Sequence, residues 1–194
     1  MNYERYVEMQ LAGPIIKPIH YHIGEFKAME YLLKDCDRNS SVLDVGCGIG
    51  YGVGMLKKIF GFKYTLGIDL NPDKIKLGKK LGYNIYHKDI VNLDDKIVYD
   101  IVWCSHTFEH MLEPDRALEK MKRVTSKDVK FFFILPYPDM APSPVHHSAP
   151  ILGTNIDDKA RTVIDWFTAR ELSIRDRSFS GFREPEIWLE FTKL

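Results

Sequence analysis

A chain of 194 residues can bury most of its apolar surface in one core, so a single domain over 1–194 is expected. Apolar residues make up 45% of it and charged residues 28%, the proportions of an ordinary globular protein. The formal net charge is zero, which argues against the basic footprint of a nucleic-acid binder.

Taken in chain order, Ile23, Phe26, Met29, Leu32 and Leu33 recur at helical spacing and predict a first helix over about 23–34. Residues 41–45 are an apolar run entering glycines and read as a buried strand, with a helix over about 52–60 after them. A strand over 64–68 follows. Asn71 then caps a helix that has Pro72 at its first position and runs to about 81. Its lysines, over 74–80, read as one solvated helix face. Further strands are expected at 83–86, 99–104 and 130–135, with a helix over about 114–124 between the last two. Residues 162–172 read as a helix. Strands over 173–179 and 186–193 then share a connector too short for anything but an antiparallel hairpin. Along the last strand, Ile187, Leu189 and Phe191 alternate with Trp188, Glu190 and Thr192.

This alternation predicts an α/β fold: a three-layer, doubly wound sheet of seven strands, mostly parallel, with a C-terminal antiparallel hairpin. Three widely spaced cysteines, Cys36, Cys47 and Cys104, offer neither a CxxC pair nor zinc spacing, and point to a reducing cytoplasm. No stretch approaches the length of a membrane span, and residues 1–10 do not resemble a signal peptide.

In open α/β sheets, ligands bind beyond the carboxyl ends of the strands. Four strand ends therefore carry the chemistry. The first runs Asp44-Val45-Gly46-Cys47-Gly48-Ile49-Gly50-Tyr51-Gly52. Its glycines let the backbone approach a ligand closely, and a helix N-terminus after such a turn favours a carboxylate or phosphate. The dinucleotide pattern GxGxxG fails here, because Tyr51 or Val53 occupies the third glycine position. The second is Asp69, an acidic strand tip able to accept from both ribose hydroxyls; the competing reading is a charge at a helix start. The third is Asp89-Ile90, where a carboxylate could meet an adenine amino group, although Asp89 alone reads equally as a turn residue. The fourth runs from Asp100 through Cys104, Ser105 and His106 to Glu109-His110.

Together these runs resemble the ordered motifs of class I S-adenosylmethionine-dependent methyltransferases. Residues 42–50 resemble the first motif, and Gly67-Ile68-Asp69, Lys88-Asp89-Ile90 and Tyr99–Val102 with Glu109-His110 resemble the later ones. The resemblance is one of motifs over 41–135 and of architecture beyond. It implies that Gly46, Gly48 and Gly50 cradle the methionine part of the cofactor, with Asp44 and Cys47 among the contacts of the same loop. It implies further that Asp69, beside Leu70, holds the ribose, that Asp89 and Ile90 hold the adenine, and that Cys104 and Ser105 approach the amino-acid end through backbone atoms.

A sulfonium methyl is already activated, so the protein's main task is alignment; no metal is assigned. A base would help with a hydroxyl or protonated amine acceptor. Candidates are His106, Glu109, His110, His146 and His147. If 105–111 is helical, His106 and His110 share a face, and these two are taken as the base or acceptor contact. A packing role for Glu109-His110 competes, and a metal held by these residues with His146 is the remaining reading. Two segments could shape the acceptor site: residues 1–22, with Tyr3, Tyr6, His20, Tyr21 and His22, as a lid, and the proline-rich loop 136–160, with Tyr137 and Asp139 at its root. The expected function is methyl transfer to a small-molecule acceptor, with no nucleic acid or membrane partner. The alternatives are a nicotinamide-dependent oxidoreductase and a non-catalytic cofactor-binding module.

Overall fold

The apolar run Ser41–Val45 becomes β1, the strand from which the sheet grows in both directions. The computed structural model describes residues 15–17, 19–137, 160–181 and 185–194. In chain order the elements are α1 (Ile19–Leu32), β1, α2 (Tyr51–Lys58), β2 (Tyr64–Asp69), α3 (Pro72–Lys80), β3 (Ile85–His87), β4 (Tyr99–Ser105), α4 (Pro114–Arg123), β5 (Thr125–Pro136), α5 (Arg161–Thr168), β6 (Leu172–Ser180) and β7 (Glu186–Lys193). Single 3₁₀ turns at Ile90–Asn92 and Phe108–His110 follow β3 and β4.

The strands lie in the order β3-β2-β1-β4-β5-β7-β6. Strands β1 to β5 are parallel, and β7 runs antiparallel to both β5 and β6. This is the expected mostly parallel sheet with a terminal hairpin. The chain steps outward from β1 to β3, then returns to lay β4 on the other side of β1, so the order reverses between β1 and β4. A crevice is expected beyond the strand ends at such a reversal.

Both faces are covered. Phe131, Phe133 and Leu135 of β5 face a core shared with Leu118 and Met121 of α4 and Phe167 of α5. The alternate residues Phe132 and Ile134 face the opposite core with Ala28 and Met29 of α1, Leu56 of α2 and Trp103 of β4. A smaller cluster of Val53, Ile75 and Ile85 joins α2 and α3 to β3. Among the described residues, no helix is long and apolar enough to cross a membrane.

Some boundaries differ from the sequence reading, for physical reasons. The third strand starts at Ile85 rather than 83, because Gly82 and Tyr83 donate back to the Lys79 and Gly78 carbonyls and close α3. Strand β5 extends back to Thr125 through charged residues, since Thr125 pairs with Tyr99 and its carbonyl accepts from the Lys193 ammonium. Helix α1 begins at Ile19 and ends at Leu32, earlier than expected at both ends. Strand β7 does not alternate inside and outside: Ile187, Trp188 and Leu189 are all buried. It is an interior strand, and Trp188 packs in the core beneath α1, with Tyr31 at a ring distance of 5.7 Å. Residues 1–14 and 138–159, which carry most of the two expected lid segments, lie outside the described residues, as do His146, His147 and Asp139.

Helix α3 sits on the glycine loop through Gly78: a Cβ there would collide with the Ile49 carbonyl oxygen and the Ile85 side chain. In an open helix, alanine is favoured over glycine by about 1 kcal/mol. Here the sign reverses, and Gly78→Ala should destabilise the fold by about 1–3 kcal/mol, as overpacking does. Urea unfolding measures this, and an unchanged or raised midpoint would contradict the close packing of α3.

Candidate functional site

The loop after β1 folds over the tip of β2. Gly46 and Cys47 both donate to the Ile68 carbonyl, at 2.8 and 3.0 Å, and Gly50 donates to Cys47 at 2.9 Å. Two glycines are required for different reasons. At Gly46 (φ +78°) a side chain would collide with Thr107, whose hydroxyl donates to the Ser105 carbonyl at 3.2 Å. At Gly48 (φ +57°) a side chain would meet no atom within 4 Å, because that position faces the open cleft. Gly50 lies below the loop, buried beside Ile85 and Tyr83 and away from the cleft lining.

Asp69 ends β2 and ties this loop to the next helix. Its Oδ2 accepts from the Gly48 N–H at 2.8 Å, and its Oδ1 accepts from the Asn71 N–H, also at 2.8 Å. Asn71 in turn caps α3, accepting from the Asp73 and Lys74 N–H groups. The Leu70 carbonyl lies 3.0 Å from His87 Nε2. One strand over, Asp69 pairs with His87, which sets Asp89 at the same end of the sheet. Asp89 Oδ1 accepts from Val91 N–H at 3.1 Å, and Ile90 is buried in the core.

The cleft is lined by Asp44, Gly46, Cys47, Gly48 and Ser105 from the expected set, and by Glu25 and His22 of α1. Cys104 is fully buried, and burial pushes its thiol well above the ordinary value; its side chain faces the core.

Carboxylates crowd one side of the cleft, which Lys17 and Lys74 also line. Asp44 is buried, and burial first, then Glu25 and Asp69, push its carboxyl well above the usual range. Burial, with Asp44 and Asp69, also raises the Cys47 thiol. Glu25 faces Asp44 across Gly52, where a Cβ would lie 2.7 Å from Asp44 Oδ2 and 2.9 Å from Glu25 Oε1. The Trp103 indole donates to Glu25 Oε1 at 3.3 Å. A ligand with a positive centre would relieve this crowding. Sequence reasoning missed Glu25, which sits in an ordinary helical run with no motif around it.

The two candidate bases do not share a helix face. His106 lies outside the 3₁₀ turn Phe108–His110, at φ +48°, with its N–H donated to Ile134. Its Nε2 is 2.8 Å from Glu186 Oε2 and its Nδ1 is 3.6 Å from Glu109 Oε1, and all three side chains are buried. The Trp188 indole donates to the other Glu186 oxygen at 2.8 Å. His110 is more open, its side chain 30% exposed and its Nε2 3.8 Å from Glu109. Glu186 was also absent from the sequence reading. Among the described residues, no group of three or more His, Cys, Asp or Glu side chains could hold a metal ion.

Residues 21–174 match the sequence profile of a family described as a methyltransferase domain. The 2-methyl-6-phytyl-1,4-hydroquinone methyltransferase of Synechocystis is 36% identical over 87 residues, covering 41% of this chain. The chain spans about a quarter of that relative's length, 26%. Among solved structures, the N-methyltransferase NodS of Bradyrhizobium japonicum, in complex with S-adenosylhomocysteine, has a TM-score of 0.72 at 14% identity, over 97% of this chain and 98% of its own. The cyclase SpnF has a TM-score of 0.70 at 15% identity, over 89% of this chain and 81% of its own. A cyclase and a methyltransferase thus share the fold, and chemistry has to be argued from the site.

The raised Asp44 carboxyl makes a prediction about the free protein. Between the ordinary carboxylate value of 3.8 and Asp44's raised value, the folded chain holds more protons than the unfolded one. Stability contributed by that proton is present at low pH and lost as pH rises through the raised value. Asp44→Asn should therefore raise the Tm of the ligand-free protein at about pH 8, with the advantage shrinking toward about pH 4. Thermal unfolding across this range checks it; a pH-independent difference would contradict the charge crowding.

Proposed function

The chain belongs to the methyltransferase-domain family, and on that premise we propose that it transfers a methyl group from S-adenosylmethionine to a small-molecule acceptor. The observation that carries this reading is the Asp69 carboxylate, fastened to Gly48 N–H and Asn71 N–H beside an open glycine loop. Two bonds leave further lone pairs on its oxygens, enough to accept from two ribose hydroxyls. The residues fit the cofactor in two other respects. Gly48 offers backbone with free space above it, and the Asp44–Glu25 pair supplies negative charge where the cofactor carries positive charge.

The remaining assignments follow the strand tips. Gly46, Gly48 and Ser105 line the methionine end, where Cys104 can take part only through its backbone. Asp89 and the backbone of Ile90 take the adenine. When bound, the cofactor supplies a methyl group on a sulfonium that leaves as a neutral thioether. The chain's own task is to hold the acceptor in line with that methyl, an effect that can lower a barrier by about 7–11 kcal/mol. The base role falls to His110 rather than His106, because His110 is partly exposed whereas both ring nitrogens of His106 face buried carboxylates. Such a base adds roughly 10²–10⁴-fold with a hydroxyl or protonated amine acceptor.

Neutral overall charge favours a small molecule over a nucleic acid. The three free cysteines favour a reducing cytoplasm. The failed GxGxxG register and the antiparallel β7 within the sheet leave the nicotinamide reading without support.

Titration calorimetry should detect S-adenosylmethionine and S-adenosylhomocysteine; no binding at millimolar concentration would remove the proposal. Asp69→Ala should weaken binding by roughly tenfold or more, since ribose hydroxyls lose a charged partner. Gly48→Val should be worse, because it adds strain at φ +57° and places a side chain in the cleft.

A further inference from the structure

The neutral total charge of the chain hides an uneven distribution. Residues 57–81 hold seven lysines against two acids, Asp69 and Asp73. Both acids lie at the cleft end, at the tip of β2 and in the first turn of α3. A helix that links parallel strands runs back along the sheet, so its last turn lies where the strands begin. Three segments therefore meet at the base of the sheet, opposite the cleft: Lys57-Lys58-Ile59 ending α2, Lys63-Tyr64 opening β2 and Lys79-Lys80-Leu81 ending α3.

These five lysines are exposed, and among the described residues none of them is in an ion pair. Lys58 and Lys79 lie over the rings of Tyr83 and Tyr86, at 5.7 and 4.9 Å. Elsewhere Lys27, Lys120, Lys122 and Lys130 each meet a carboxylate. Large apolar side chains stand among the unpaired cations: Ile59 is 61% exposed, Tyr64 65% and Leu81 48%. Lysines in a last turn offset the helix dipole. That accounts for the pairs at 57–58 and 79–80, but for neither Lys63 nor the exposed apolar groups. Apolar side chains rimmed by polar ones mark a docking surface.

The chemistry of the cations selects the partner. Arginine, whose planar fork matches phosphates and carboxylates, is favoured at nucleic-acid and ion-paired protein interfaces, and these segments contain none. Lysine lays an apolar stem along a lipid boundary while its ammonium stays with anionic headgroups. We infer that the base of the sheet docks on an anionic bilayer surface, with Ile59, Tyr64 and Leu81 entering the headgroup boundary and the five lysines beside acidic lipids. Docking of this kind requires no spanning helix. The cleft, at the opposite end of the strands, then opens to water, so the bilayer positions the protein while the acceptor arrives from solution. The inference goes beyond methyl transfer and does not depend on it.

The test is sedimentation of the full chain with vesicles of phosphatidylcholine mixed with phosphatidylserine, against vesicles of phosphatidylcholine alone. The wild type should bind the mixed vesicles, bind neutral ones far more weakly, and be released by added salt. Lys57→Gln with Lys58→Gln, and Lys79→Gln with Lys80→Gln, should each weaken binding by about fivefold per lysine. Ile59→Ser with Leu81→Ser should weaken it without changing the salt dependence. Arg116→Gln with Arg161→Gln, which removes as much charge from α4 and α5, should bind as the wild type does. All these side chains are exposed, so circular dichroism melting should show every variant folded. Failure to bind the mixed vesicles would overturn the inference, and so would equal binding to neutral vesicles or an equal loss in the arginine variant. Retention of single-stranded RNA in place of the vesicles would overturn it too.

Discussion

One carboxylate organises the end of the sheet where the strand order reverses. Asp69 holds the glycine loop through Gly48 and the start of α3 through Asn71, with each oxygen taking one backbone N–H. Bonds of this kind to a charged acceptor are worth about 1.5–3 kcal/mol each. They act with the Gly46 and Cys47 bonds to Ile68 to hold the loop, and the packing of Gly78 against Ile49 seats α3 on it. The residue proposed to bind ribose is therefore also one that holds the glycine loop.

The same end of the sheet concentrates charge. Asp44 on β1, Glu25 on α1 and Asp69 on β2 crowd together, and burial of Asp44 makes the crowding costly. Carboxylates perturbed by burial and by one another in a cleft mark a candidate site, here one suited to positive charge. The proposed cofactor, which carries positive charge, agrees with the family assignment and with this crowding.

The far side of the cleft is tied down differently. His106 links the tip of β4 to Glu186 at the start of β7, and Trp188 holds the second Glu186 oxygen. Thr107, next in the chain, fills the space over Gly46. Strand β7, which lies between β5 and β6, thereby steadies the end of β4 that carries Ser105 into the cleft. His106, one of the two histidines the sequence offered as a base, is placed to support that strand end.

The sequence by itself determined the alternation of elements, the terminal hairpin, the glycine loop, the Asn71-Pro72 helix start and the acidic tip at Asp69. Each is encoded within a few neighbouring residues, by side-chain periodicity, by positions that need glycine or by a capping side chain. Tertiary structure alone decided which strands became neighbours, and with them every contact that spans the sheet. Trp103 meets Glu25 across 78 positions and His106 meets Glu186 across 80, pairings that no local pattern announces. Burial of Ile90 and Cys104 and the two-sided burial of β7 belong to the same class. They depend on what the fold lays against a residue, and that is settled only when strands distant in sequence close into one sheet.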